Sequence, residues 1–137
     1  MQELTLKGRG IVEGHCKAEA LVSSKPISFL GGVDPADGKI VDKTNDLCGE
    51  YIKDKVLCFP HGSGSTVGSY VLYSLAKRNL APKAIVNQTA DPVVVVGAII
   101  ANVPMLDKVD IRKIHTGDMV EVDACKGLVK VARAKEA

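Results

Sequence analysis

The chain has 137 residues, enough to bury the core of one domain, and its 46% apolar and 25% charged residues are those of an ordinary globular protein. The formal net charge is only +2, with basic and acidic residues interleaved, so the dense basic footprint of a nucleic-acid binder is excluded. A mildly basic stretch at residues 126–135 reads as a solvated strand and tail.

The opening "MQELTLKGRG" has no apolar run of the kind a secretory leader needs, so a cytoplasmic chain is expected. "ELTLKGRGIVEG" and "AEALVSS" alternate apolar and polar residues, which predicts two strands joined near Gly14. "KPISFLGGVDPADGKI" is punctuated by Pro26, Gly31, Gly32, Pro35 and Gly38 and reads as an extended, shaped loop. "KVLCFP" is a short apolar strand. After a glycine loop, Val67, Tyr70, Val71, Ser74 and Leu75 form a stripe of helical period. Lys77 and Arg78 suit the last turn of that helix, and Asn79 and Pro82 mark its end.

"KAIVN" reads as a buried strand. "DPVVVVGAIIAN" carries two signals: its β-branched residues favour a strand, whereas Asp91-Pro92 and the small Gly97 and Ala98 favour a helix. We read it as a helix capped by Asp91 with Pro92 as its first residue. Residues 92–106 are the most hydrophobic part of the chain but too short and interrupted to span a bilayer, so core is expected and no membrane contact. "VPML" is a short strand, "DIRKI" a turn or short helix, and "DMVEVDACKGLVKVARA" a closing hairpin that turns near Lys126-Gly127. This order predicts one α/β domain over residues 1–137, with a mixed sheet or small barrel and flanking helices. Cys16, Cys48, Cys58 and Cys125 form no CxxC pair and are irregularly spaced, so free thiols and no metal site are expected.

The stretch "HGSGST" places two glycines and three hydroxyls where a strand hands over to a helix. Gly62 and Gly64 permit a sharp turn and close backbone approach, and Ser65 or Thr66 falls at the helix N-terminus. The first amides of a helix lack intrahelical partners, so this place favours an anion. The usual phosphate and nucleophile patterns do not match: Gly64 is followed by Ser65 and not Lys, and Ser63 and Val67 occupy the flanking glycine positions of a nucleophile elbow. Simple capping by Ser65 explains the stretch equally well. His61 stands beside the turn without motif context, as do His15 and His115 elsewhere. Gly31, Gly32 and Asp34 form a second glycine-rich loop, either a plain turn or the facing wall of a shared cleft. Asn87, in the polar stretch "NQTADP", either meets a substrate carboxylate or ties the loop to itself.

"ALVSSKPISFLGGVDPADGKI", "GSGSTVGSYVL" and "APKAIVNQTADPVVVVGAIIANVPML" together resemble the small-subunit type of the aconitase X family, over residues 8–131. That resemblance implies a swivelling β/β/α domain related to the mobile fourth domain of aconitase. It implies a hydro-lyase whose substrate is a small phosphorylated hydroxy acid. The reaction implied is dehydration of (R)-5-phosphomevalonate to trans-anhydromevalonate 5-phosphate in the modified archaeal mevalonate pathway. It also implies a heterodimer in which a large subunit holds an iron–sulfur cluster of the 4Fe–4S type. The proton-accepting serine of the family matches Ser65, with Gly62, Ser63, Gly64 and Thr66 shaping the anion site and Gly31, Gly32, Asp34 and Asn87 placed as substrate contacts. A dehydratase of another hydroxy acid or of a hydroxyproline, a non-catalytic anion-binding or assembly module, and a stand-alone serine hydrolase remain as rival readings.

Overall fold

A computed structural model describes residues 3–133. The strands are β1 (Glu3–Lys7), β2 (Arg9–Val12), β3 (His15–Val22), β4 (Val56–Phe59), β5 (Ala84–Asn87), β6 (Met105–Asp107), β7 (Met119–Asp123) and β8 (Leu128–Ala132). The helices are a kinked turn α1 (Phe29–Gly32), α2 (Gly68–Lys77) and α3 (Pro92–Ala101), with a 3-10 turn at Ile111–Lys113. The strand order is β1-β8-β7-β3-β4-β5-β6-β2, an open series with β1 and β2 at its ends, which decides for a mixed sheet over a closed barrel.

The long strand β3 belongs to two sheets. Its first part, from His15 to Glu19, pairs antiparallel with β7; its last residues, Ala20 to Val22, pair parallel with β4. β4, β5 and β6 continue the parallel run, and α2 and α3 are the crossovers that parallel pairing requires. Both helices pack on one face of this run, and β1, β7 and β8 cover the other.

The period of two then explains the core. Leu57, Phe59 and Ile85 point toward Leu72, Leu75, Val94 and Ala98 of the helices. Val56, Cys58, Ala84 and Val86 point toward Val120, Val122, Val129 and Val131 of the antiparallel sheet. A strand covered on both faces reads as an unbroken apolar run, as β4 and β5 do. Each fully buried Leu, Ile or Phe in such a core is worth about 1.5–3 kcal/mol.

Three expectations change. "ELTLKGRGIVEG" is not one strand: it breaks at Gly8, and the halves join β8 and β6 at opposite ends of the strand series. A Cβ at Gly8 would run into the Asp107 carbonyl and Val109, so only glycine passes between them. The next strand begins at His15, ahead of the "AEALVSS" alternation.

The buried stripe of α2 is also displaced. Tyr70 is 69% exposed and Val67 48%, while Gly68, Ser69, Leu72 and Leu75 face inward. The cause is close helix packing. Ser69 Oγ donates to the Val93 carbonyl at 2.6 Å, and a Cβ on Gly97 would lie 3.2 Å from Ser69 Cα. Small residues carry no hydropathy signal, so the larger Val67 and Tyr70 misplace the face.

The helix reading of residues 92–101 holds. Asp91 Oδ2 accepts from the amides of Val93 and Val94 at 3.0 and 3.4 Å, and Pro92 is the first helical residue. The hairpin β7–β8 also holds, with Gly127 at φ +70 in its turn. Residues 134 and 135 of the basic stretch, like the first two and last two residues of the expected domain, lie outside the described residues.

Candidate functional site

In an open α/β sheet, ligands gather at the carboxyl ends of the parallel strands. Here β3, β4 and β5 discharge onto that edge the segments 23–28, 60–67 and 88–91. The first two are stitched together. Ile27 bridges Gly62, the Ile27 amide donates to the His61 carbonyl at 3.3 Å, and the Ser63 amide donates to the Ile27 carbonyl at 3.1 Å.

The two glycines of this loop are needed for different reasons. Gly62 is buried, and a side chain there would collide with Val94 and Asp91 at the start of α3. Gly64 has φ +89, and a Cβ would meet Ser28 Oγ. The loop is thereby pressed between the segment after β3 and the N-terminus of α3. Residues 63–67 nevertheless remain exposed.

Ser65 sits at the outer tip. Its Oγ accepts from the Val67 amide at 3.2 Å, and its carbonyl accepts from the Gly68 amide at 2.9 Å. The amides of Gly64, Ser65 and Thr66 find no acceptor among the described residues. Three consecutive open donors, two of them on the residues flanking Ser65 and all just ahead of a ten-residue helix, therefore accompany one exposed hydroxyl, which itself accepts from the Val67 amide. The arrangement can bind an oxyanion or stabilise negative charge on the hydroxyl oxygen.

The other expected residues divide. Gly31 has φ +86 and is exposed at the kink of α1. Gly32 is buried, and its carbonyl accepts from the Val41 amide at 2.9 Å. This segment adjoins the start of α2, since a Cβ at Gly68 would lie 3.6 Å from the Leu30 amide. Asp34 turns onto its own loop, Oδ1 accepting from the Ala36 amide at 2.8 Å. Asn87 is completely buried, with Nδ2 donating to the Phe59 carbonyl at 2.9 Å. It stands beneath the loop and not in the cleft. His61 Nδ1 donates to the Gly62 carbonyl at 2.7 Å, and among the described residues no imidazole bonds Ser65, so a Ser–His relay is not assembled. Sequence reasoning missed Ser28, Asp91 and Val94, whose contact with the loop is purely tertiary and leaves no local pattern.

Among the described residues no three His, Cys, Asp or Glu side chains come together as a metal site. The four cysteines are unpaired; burial pushes the thiols of Cys58 and Cys16 above the ordinary range, away from the thiolate a metal requires. The described residues of this chain do not fit an iron–sulfur cluster. No helix among the described residues is long and apolar enough to cross a membrane.

Fold and loop together define a β/β/α domain that presents an exposed glycine–serine loop with open amides at one sheet edge. A family model described as the aconitase X swivel domain matches residues 5–131. The chain belongs to that family. It is 56% identical over 128 residues to a phosphomevalonate dehydratase small subunit of Thermococcus sibiricus, covering 93% of this chain and 98% of that one. It is 52% identical to the subunit of the same name from Methanocaldococcus jannaschii, with the same coverage. The crystal structure of the holo-form of Thermococcus kodakaraensis aconitase X superimposes with a TM-score of 0.93 at 52% identity, over 95% of this chain and 99% of that one.

Proposed function

We propose that this chain is the small subunit of a cytoplasmic hydro-lyase that dehydrates (R)-5-phosphomevalonate to trans-anhydromevalonate 5-phosphate, with Ser65 as the proton acceptor. The supporting observation is the exposed Ser65 hydroxyl among the open amides of Gly64, Ser65 and Thr66. The relatives named as small subunits support a large-subunit partner.

Dehydration of a 3-hydroxy acid removes a proton from the carbon beside the carboxylate and hydroxide from the next carbon, together one water. In this reading the proton passes to Ser65 Oγ. Departure of the hydroxyl is assigned to the large subunit, where the family resemblance puts the iron–sulfur cluster. Gly62, Ser63, Gly64 and Thr66 shape the anion site, and Gly31 and Gly32 form the neighbouring wall, its far end tied by Asp34.

Magnitudes decide what else is needed. An alcohol is far too weak an acid to ionise at neutral pH, and holding Ser65 as an alkoxide takes on the order of 12 kcal/mol. A solvated helix terminus supplies at most about 2 kcal/mol. In a dry site each donor aimed at the oxygen is worth about 3 kcal/mol, so the Val67 amide alone falls short, and the open amides of residues 64–66 would have to turn onto Ser65 Oγ with water excluded to approach the requirement. An exposed loop does not meet that condition alone, and a covering subunit does.

The test is anaerobic co-purification with the large subunit and assay against 5-phosphomevalonate, other 3-hydroxy acids and hydroxyprolines. Turnover of 5-phosphomevalonate by the pair, absent from this chain alone, is the expected result. Activity of this chain alone, or preference for another substrate, overturns the reading.

A further inference from the structure

We infer that Asn87 is a positioning residue for the Ser65 loop, acting through the end of β4; this rests on the assignment of Ser65 as proton acceptor. Asn87 and Phe59 are register partners at the last step of the β4–β5 ladder. Beyond that step the backbone ladder stops, and side chain and turn take over. Asn87 Nδ2 donates to the Phe59 carbonyl, and the amides of Gln88 and Thr89 both donate to the Pro60 carbonyl, at 3.1 and 3.0 Å. Three donors from the end of β5 thus fix two consecutive carbonyls from which the loop departs. Above them the loop is tied to Ile27, whereas the Ser65 hydroxyl is bonded only within its own turn.

The cost of this arrangement argues for its purpose. Asn87 is wholly inaccessible, and its Oδ1 has no hydrogen-bond partner among the described residues. Burying an amide with an unsatisfied half is unfavourable, and the satisfied half spends its bond on the Phe59 carbonyl, a donor that an apolar residue would not supply. The amide thereby fixes the direction in which the chain leaves β4, and Phe59 and the open donors of residues 64–66 are separated by only a few residues. Displacement of a reacting group by about 1 Å costs on the order of a hundredfold in rate.

The test uses the anaerobic complex with Asn87→Leu and, should that variant fold poorly, Asn87→Ala. The expected result is a kcat lowered roughly tenfold to a hundredfold with KM within about twofold. Faster amide hydrogen exchange across residues 60–67 should accompany it. A raised KM at unchanged kcat would make Asn87 a substrate contact, and lowered thermal stability with normal kcat and unchanged loop exchange would make it merely structural; either overturns the inference. Ser65→Ala, assayed in parallel, judges the Ser65 assignment by its rate alone. The exchange measurement judges Asn87 alone, so the two claims fail separately.

Discussion

Two polar, glycine-containing loops of this chain contrast in how they use their hydrogen bonds. The segment from residue 34 to 50 closes on itself. Asp34, Asp37, Asp42 and Asn45 each accept, through a side-chain oxygen, the amide two residues on. Ser23 and Asp46 then tie it to the end of β3 at 2.9 Å. Among the described residues, the segment from residue 62 to 66 is tied across to Ile27 and by the packing of Gly62 and Gly64 at its base, runs into α2 through the Ser65 and Thr66 carbonyls, and leaves three consecutive amides open at its tip. The first loop turns most of its polar side chains back on its own backbone. The second keeps a run of donors and an exposed hydroxyl outward.

The contrast is broken most sharply at Ser65. Ser65→Ala in the two-subunit complex should lower kcat by roughly 10²–10⁴-fold, the span of a lost acid–base group, with the thermal midpoint unchanged. Next comes Gly64→Ala. Its positive φ and the contact with Ser28 force the loop to move, so we expect about a hundredfold loss of rate with about 1–2 kcal/mol of stability, measured by kinetics and thermal melting.

The closed loop should respond the opposite way. Ser23→Ala removes a fully buried hydroxyl shared with Asp46 and should cost about 1–3 kcal/mol in denaturant unfolding, with kcat per folded molecule unchanged. Asp46→Asn gives the smallest effect and a definite pH dependence. Burial pushes the Asp46 carboxyl upward, but hydrogen bonds from Ser24 and Ser23 outweigh it and hold the pKa below the ordinary carboxylate range. The lowered folded pKa means the carboxylate stabilises the fold above the unfolded value, and this is lost as pH falls through the folded one. The variant should be less stable than the native chain at neutral pH and converge with it in acid.

What was legible in the sequence follows the same division. Local signals worked where the cause is local: Asp91-Pro92 announced the start of α3, Lys126-Gly127 the hairpin, and the apolar run of β4 a short strand. The glycine loop was visible for the same reason, because φ and close approach are demands on single residues. The break at Gly8 was not, since it is set by Asp107 and Val109, far along the chain. Neither was the inward turn of Gly68 and Ser69 on α2, although Leu75 of the expected stripe is buried, nor the bond from Asn87 to the Phe59 carbonyl, which depends on the register of β4 and β5. The resemblance of three ordered motifs supplied the family; the amides left open around Ser65 became apparent only from the coordinates.

The most direct measurement follows deuterium from D2O into the carbon beside the substrate carboxylate, catalysed by the anaerobic complex. Incorporation by the native pair and its loss in Ser65→Ala, with assembly intact, is what the account requires. Incorporation by Ser65→Ala at the native rate would contradict it.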